Sequence, residues 1–497
     1  MNYVLALDQG TTSSRAIIYD ESMMVKGTGQ CAFEQIYPEP GWVEHDPETI
    51  WQSMLKSIKH ALQQASLGSN AITAIGITNQ RETLVVWDRI SGKPIHNAIV
   101  WQDRRTADLC EKLASEGLED FISEKTGLVL DPYFSATKIR WILDHIPAAK
   151  SALAQGSLVC GTIDSWLVWK LTQGKTHIIE ASNASRTSLL NLDSVAWDEE
   201  LLRLFNIPQS ILPSVVGSSE HIALSQIPEL KGVPITGIAG DQQAALFGQT
   251  CFDVGDTKCT YGTGCFLLTN TGAKPVRSKS RLLSTVAWRI NNETTYALEG
   301  SVFIGGALVQ WLRDNLSIVD HASEIEALAA SVADNGGVTL VPAFAGLGAP
   351  YWDPQARGTI LGLTRGTTSA HIARAALEGI AMQVTDVIEA MRGDMQDELS
   401  HMKVDGGASA NNLLMQIQAD YCALNISRAK NLESTALGAA TLAGLGVGIW
   451  DSAEKLRQLW QPERQFSRQA EAKTTKKARN TWLRAVERAR HWQIGDE

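Results

Sequence analysis

DQGTTSSR, residues Asp8 to Arg15, decides the fold. It lies between Tyr3 to Leu7 and Ala16 to Tyr19, two short runs of strand composition, and so predicts a tight hairpin whose turn carries Thr11, Thr12, Ser13 and Ser14. Glycine lets backbone donors close on an anion, and the hydroxyls add donors of their own. A Walker loop would run from strand into helix and carry a lysine. No GxxxxGKS or GxxxxGKT string occurs in the chain, and no GxGxxG opens a helix in a Rossmann setting. In the other half of the chain a second small-residue turn, YGTG from Tyr261 to Gly264, again lies between strand-like runs, and DGGASANN follows from Asp405 to Asn412. Two phosphate-loop hairpins and a third glycine-rich turn predict a nucleotide held between two related domains.

The chain of 497 residues has room for two or more domains, with a junction expected near residues 245 to 255. Its net charge of -10 gives no drive toward nucleic acid or an anionic membrane, so the expected partner is a small metabolite. Seven cysteines without a CxxC pair or metal spacing read as reduced, packed thiols of a cytoplasmic protein. No basic-then-apolar leader precedes Asp8. The apolar run from Val338 to Ala349 is broken by Pro342, Gly346 and Gly348 and is too short to span a bilayer.

Outward from the first hairpin, a helix is expected from Asp46 or Pro47, with Ile50, Trp51, Met54, Leu55, Ile58 and Leu62 on its sheet-facing side. Ala71 to Ile77 reads as a strand, placing Asn79, Gln80, Arg81 and Glu82 at its end, a common position for ligand contacts. Asp103 to Ile146 reads as mainly helical, Val233 to Ala239 as a strand, and Gly300 to Leu316 as a helix in which Gly306 and Gln310 share a face. Helices are also expected at His371 to Ala390, Asn412 to Cys422 and Thr435 to Leu445. The basic tail from Arg464 to Arg490 reads as a solvated helix packed through Trp482, Leu483, Val486 and Ala489.

Asp241 follows a strand and precedes Gln242 and Gln243, where a carboxylate can take a proton from a hydroxyl that attacks phosphorus or, alternatively, cap the next helix. The pair Arg81 and Glu82 offers a donor and an acceptor to vicinal hydroxyls. Trp101, Tyr133 and Phe266 offer apolar walls for a small polyol. Asp8 is placed for Mg²⁺ beside a triphosphate, and Arg15 for neutralising phosphoryl charge. Thr263 is the hydroxyl donor of the second loop, while Gly406, Gly407 and Asn411 suit close approach of an adenosine.

These segments together resemble the FGGY carbohydrate kinase family, in its glycerol-phosphorylating branch, over nearly the full length. The resemblance rests on DQGTTSSR (8–15), GITNQRET (76–83), YFSATKIRWIL (133–143), GIAGDQQAALFGQ (237–249), YGTGCF (261–266), GLTRGTTSAHIARAALEG (362–379) and VDGGASANN (404–412). It implies an α/β fold of two actin-like, ribonuclease-H-like domains, residues 1–248 and 249–497, around a central nucleotide and substrate cleft. It further implies transfer of phosphate from ATP to glycerol, giving sn-glycerol 3-phosphate and ADP, with glycerol and MgATP as partners and a homodimer or homotetramer as the assembly. Carried over by residue, Arg81, Glu82, Trp101, Tyr133, Asp241 and Phe266 would form the substrate site, with Asp241 as general base. Thr11, Thr12, Ser13, Arg15, Thr263, Gly306, Gln310, Gly407 and Asn411 would contact the nucleotide, and Asp8 would organise Mg²⁺. The resemblance does not extend to control by fructose 1,6-bisphosphate: ALSQIPELKGVPITG (223–237) is short there and lacks the arginine, and His221 is displaced from the position phosphorylated in another bacterial subgroup.

Overall fold

The computed structural model describes residues 2–395, 398–399 and 401–493. Among these, thirteen strands form one sheet. The first half contributes β1 (Tyr3–Gln9), β2 (Ser13–Asp20), β3 (Val25–Ala32), β4 (Ile72–Asn79), β5 (Ser219–Leu224) and β6 (Pro234–Gly240). The second contributes β7 (Asp256–Tyr261), β8 (Cys265–Gly272), β9 (Leu283–Ile290), β10 (Glu293–Val302), β11 (His401–Asp405), β12 (Asn425–Ala429) and β13 (Pro462–Phe466). The order is β13-β12-β11-β7-β8-β10-β9-β5-β6-β4-β1-β2-β3.

Both halves repeat one plan. An antiparallel hairpin, β1–β2 or β7–β8, takes a third antiparallel strand on its outer side, β3 or β10. On the other side of the hairpin's first strand two parallel strands follow in succession, β4 then β6 in one half and β11 then β12 in the other. The halves meet where Ser219 of β5 pairs with Ile290 of β9. Each glycine-rich turn therefore lies at the tip of the central hairpin of its own half, as expected from the two loops.

Helices cover these sheets. In α1 (Pro47–Ala65) the Asp46 carboxylate accepts from Glu48 N at 3.0 Å and Pro47 is the first helical residue. Ile50, Trp51, Met54 and Ile58 are buried against the first sheet, with Leu55 and Leu62 at the rim. The stretch read as mainly helical resolves into α2 (Ala107–Ser115), α3 (Glu119–Thr126) and α4 (Ser135–His145). A short α5 (Ala181–Ala184) and α6 (Asp241–Gly248) complete the site-bearing helices of the first half. The second half carries α7 (Gly306–Asp314), α8 (Ser369–Asp394), α9 (Asn412–Cys422), α10 (Ser434–Gly446) and α11 (Ala472–Ala489).

Although α10 belongs to the second half in sequence, it packs on β1, β4 and β6 and crosses α6. A Cβ at Gly438 would stand 1.8 Å from the Ala244 carbonyl oxygen, so this crossing admits only glycine. The helix that begins at Asp241 is thus held against both halves.

Two expectations need correction. The segment from Gly300 to Leu316 is not one helix: β10 continues through Val302, and the helix starts at Gly306. Gly300 and Ser301 remain extended because they pair with Leu267 and Phe266 of β8, so ladder bonds outweigh their weak strand preference. In the tail, Arg464 lies in β13 and the helix begins at Ala472. Trp482, Val486 and Ala489 are buried while Leu483 faces solvent, and Trp482 Nε1 donates to Asp386 Oδ2 of α8 at 2.9 Å.

Candidate active site between the two halves

The end of β4 sets the first part of the site. Gln80 N donates to Gln9 O at 2.7 Å, which keeps the strand paired up to the residue before Arg81. Thr83 N then turns back to Arg81 O at 2.6 Å, and Glu82 takes a φ of 59°, a left-handed conformation that costs a non-glycine residue of order 1 kcal/mol. Ser135 Oγ, at the start of α4, fixes the turn by donating to Glu82 O at 2.9 Å. Both side chains point into protein and are buried.

They enter a four-membered charge network. Arg81 forms a two-pronged pair with Glu299 of β10, Nη2 donating to Oε1 at 2.9 Å. Arg186, just beyond α5, donates through Nε to Glu82 Oε1 at 2.7 Å and through Nη2 to Glu299 Oε1 at 3.1 Å. Two arginines and two glutamates cancel one another inside the protein, which is the condition for burying them. Burial pushes the Glu82 carboxyl up against the pull of Arg186 and Arg81. At Glu299 burial also pushes upward, but Arg186 and Arg81 prevail and hold it at about 2.

Aromatic rings close over this network. The Arg186 guanidinium lies 5.7 Å from the Tyr133 ring centre and 5.3 Å from that of Phe134. Trp101 meets Tyr133 edge to face at 5.6 Å. Phe266 is half-buried on β8, opposite Thr260 of β7 and Ser301 of β10.

Asp241 stands at the opening of the network. Its Oδ1 is 3.1 Å from Arg81 Nε, and its side chain is 31% exposed against 2% for Arg81. It is the first residue of α6, with Gly240 in the capping position, so the helix-cap alternative does not describe it. Gln242 N donates to Asp241 Oδ1 at 2.7 Å, and the positive end of the helix favours the carboxylate. The preceding backbone is fixed where Gly240 N donates to Ser182 Oγ of α5 at 3.0 Å. Glu180 in turn caps α5, and burial pushes its carboxyl up to about 7.

The three glycine-rich turns are built differently. In the first, Gly10 N donates to Ser13 O at 3.0 Å, leaving Thr12 exposed and Thr11 and Ser13 half-exposed. Trp101 Nε1 donates to Thr11 Oγ1 at 3.0 Å, and Gln30 Nε2 to Ser13 Oγ at 3.0 Å. Asp8 and Arg15 face one another across the hairpin, and Arg15 also pairs with Glu433 at the head of α10. Burial raises the Asp8 carboxyl to about 7, with Arg15 opposing and Asp241 and Glu433 adding to the rise.

In the second turn, Gly305 N and Ala307 N donate to Thr263 O at 2.7 and 3.1 Å, and Gly306 N to Gly262 O at 2.8 Å. The loop is thereby locked to the start of α7, with the Thr263 side chain exposed and Gln310 exposed one helical turn on. In the third, no atom of the described residues beyond Gly407 and its chain neighbours lies within 4 Å of where a Cβ at Gly407 would stand, so that backbone is open to a ligand. Asn411 caps α9, its Oδ1 accepting from Leu414 N at 2.8 Å.

Arg81, Glu82, Trp101, Tyr133 and Asp241 are thus tied by direct contacts or through Arg186. Sequence reasoning missed Arg186 and Glu299. A signal existed for Glu299, an acid inside the strand run TYALEGSV, where only a buried partner explains a charge. Arg186 in ASNASRTS carries no comparable mark.

The chain is similar to known proteins over nearly its whole length. Residues 3–248 match the model of the FGGY family of carbohydrate kinases, N-terminal domain, and residues 257–447 that of the C-terminal domain. The chain is 57% identical over 493 residues to a glycerol kinase of Trichlorobacter lovleyi, covering 99% of each chain. It is 56% identical over 494 residues to a glycerol kinase of Aromatoleum aromaticum, again covering 99% of each. Its structure is similar to that of a Plasmodium falciparum glycerol kinase with ADP, at a TM-score of 0.93 and 39% identity over 98% of both chains. A xylulose kinase from Lactobacillus acidophilus, 22% identical with a TM-score of 0.88 over 98% of this chain and 97% of that one, shares the fold.

Proposed function

Because the chain belongs to the FGGY family of carbohydrate kinases, with the activity of a glycerol kinase that phosphorylates glycerol with ATP, we propose that Asp241 is the general base of the transfer. The observation that carries this reading is the position of its carboxylate. It is partly open, at the head of a helix, and 3.1 Å from an arginine whose own charge is balanced by Glu299. A terminal hydroxyl placed there gives its proton to Asp241 as its oxygen attacks the γ-phosphorus, and the product is sn-glycerol 3-phosphate.

Arg81 and Glu82 hold the neighbouring hydroxyls as donor and acceptor, and Trp101, Tyr133 and Phe266 pack the carbon chain and exclude water. Thr11, Thr12, Ser13 and Arg15 meet the phosphates from the first half, and Thr263 meets them from the second. Gly306, Gln310, Gly407 and the Asn411 side-chain amide border the adenosine. Asp8 suits Mg²⁺, because that ion is held by one or two carboxylates together with phosphates and water, and a cation there would draw the raised carboxyl into its ionised form. When bound, the ion would neutralise charge on the transferring phosphate.

We divide the chain into working domains at 1–248 and 249–497. No helix among the described residues is long and apolar enough to cross a membrane. The cytoplasm, with its ATP and reducing poise, is the compartment we propose, and a homodimer or homotetramer the assembly. The test is ADP release with glycerol, dihydroxyacetone, glyceraldehyde, erythritol and xylulose, for the wild type and Asp241→Asn. Glycerol should give the highest kcat/KM, and the variant should keep most glycerol binding while kcat falls by roughly 10²- to 10⁴-fold. Near-normal turnover by the variant would remove Asp241 from its role, and preference for another polyol would reassign the substrate.

A further inference from the structure

Lys258 is the one fully buried lysine on the face of the second sheet that looks toward α6, among the described residues, and the steps above make no use of it. It lies on β7, where Lys258 pairs with Leu268 and Thr260 with Phe266 across the hairpin. Alternation puts Lys258, Thr260 and Phe266 on one face, while Cys259 and Tyr261 point into the opposite core. Lys258 Nζ donates to the side-chain oxygen of Gln242, the residue after Asp241, and to Thr260 Oγ1 at 3.0 Å, one residue before the Tyr261-Gly262-Thr263-Gly264 turn.

Both acceptors are neutral. Among the described residues no carboxylate lies within 4.0 Å of the nitrogen, and Asp405, Asp241 and Glu299 act on it only from farther away. The Asp405 carboxylate is already engaged by Gln249 Nε2 and Ser434 Oγ. Burial accordingly pushes the lysine below its usual range, against those distant acids. A buried cation left without an ion pair is expensive, and a lysine that only tied Gln242 to Thr260 could be replaced by a neutral amide at less cost.

We propose that Lys258 is a positioning residue whose charge is matched by the terminal phosphates of the bound nucleotide, so that phosphate binding at the second hairpin is coupled through Gln242 to the placement of Asp241. The lysine acts through Gln242 and Thr260, holding the loop and the head of α6 to one another. This deepens the reading of the site given above and rests on it.

The test compares Lys258→Met, Lys258→Gln and Lys258→Arg with the wild type, measuring kcat, both KM values, and calorimetric affinities for β,γ-imido ATP and for adenosine. The neutral variants should lose about tenfold or more in affinity for the triphosphate analogue relative to adenosine, as expected for loss of a charge-assisted contact, with a similar fall in kcat and a smaller change in glycerol KM. Lys258→Arg should recover part of both. Should Lys258→Met fail to fold, Lys258→Gln, which keeps donors for Gln242 and Thr260, carries the comparison. Equal losses for the analogue and adenosine, or wild-type values in Lys258→Gln, overturn the inference. A wild type without glycerol-dependent ADP release would instead sink the reading of the whole site.

Discussion

The two sides of the site treat charge in opposite ways. On the proposed polyol side, Arg81 and Arg186 are matched by Glu82 and Glu299 in direct contacts, although Arg186 Nη1 is buried without a hydrogen-bond partner among the described residues. On the proposed phosphate side Arg15 is paired with Glu433, but two other charges are left unsettled. Lys258 has only neutral partners, and Asp8 is held near neutrality by burial. On the proposed assignment the difference follows from the ligands: a neutral polyol needs fixed donors and acceptors without net charge, whereas a triphosphate brings charge that a balanced network could not accept.

The strongest way to break this comparison is to unbalance the polyol side. Glu299→Gln leaves two buried arginines facing only Glu82 and the partly exposed Asp241, a loss worth about 3–5 kcal/mol when a buried pair is broken. We expect a clear fall in thermal stability and a rise in glycerol KM much larger than that in ATP KM. Equal changes in both would show that the network serves the two ligands alike.

A smaller effect should appear on the other side. A Cβ at Gly306 would stand 2.8 Å from the Gly262 carbonyl oxygen, so Gly306→Ala must shift the second loop by a few tenths of an ångström. ATP KM should rise several-fold while glycerol KM stays near its wild-type value. The reverse pattern would separate Gly306 from the nucleotide.

The smallest effect is one of pH. Glu180 supports α5 and, through Ser182, the backbone before Asp241, and burial raises its carboxyl from 4.5 to about 7. Folding therefore favours the protonated form. The associated stability is fully present below the unfolded value and is lost as pH rises through about 7. Glu180→Gln, neutral at every pH, should melt a few kelvin above the wild type at pH 8, with the gain gone at pH 5, as read by scanning calorimetry of the ligand-free protein. A pH-independent difference would show that the carboxyl is not proton-bound in the native state.

Much of the scaffold is legible in the sequence because its signals are local. Asp46 and Pro47 start α1 where their chemistry requires, and the hairpins at Gly10 to Ser13 and Gly262 to Gly264 follow from small residues between strand runs. The failed helix at Gly300 has an equally physical cause: extended backbone there is stabilised by pairing with β8, which no local window contains. Arg186 and Glu299 escaped for the same reason. Their partners lie 104 to 218 positions away, and only folding brings them within hydrogen-bond reach.

By itself the sequence determined the two-hairpin plan, the family, and the residues with chemistry suited to a polyol and a nucleotide, since turn preference, periodicity and motif identity are properties of neighbouring residues. Only the tertiary structure decided which of those charges cancel and which are left without a direct ionic partner. That balance depends on distances between side chains of different strands and helices, and at low effective dielectric an ångström of separation decides whether a buried charge is paired or left over.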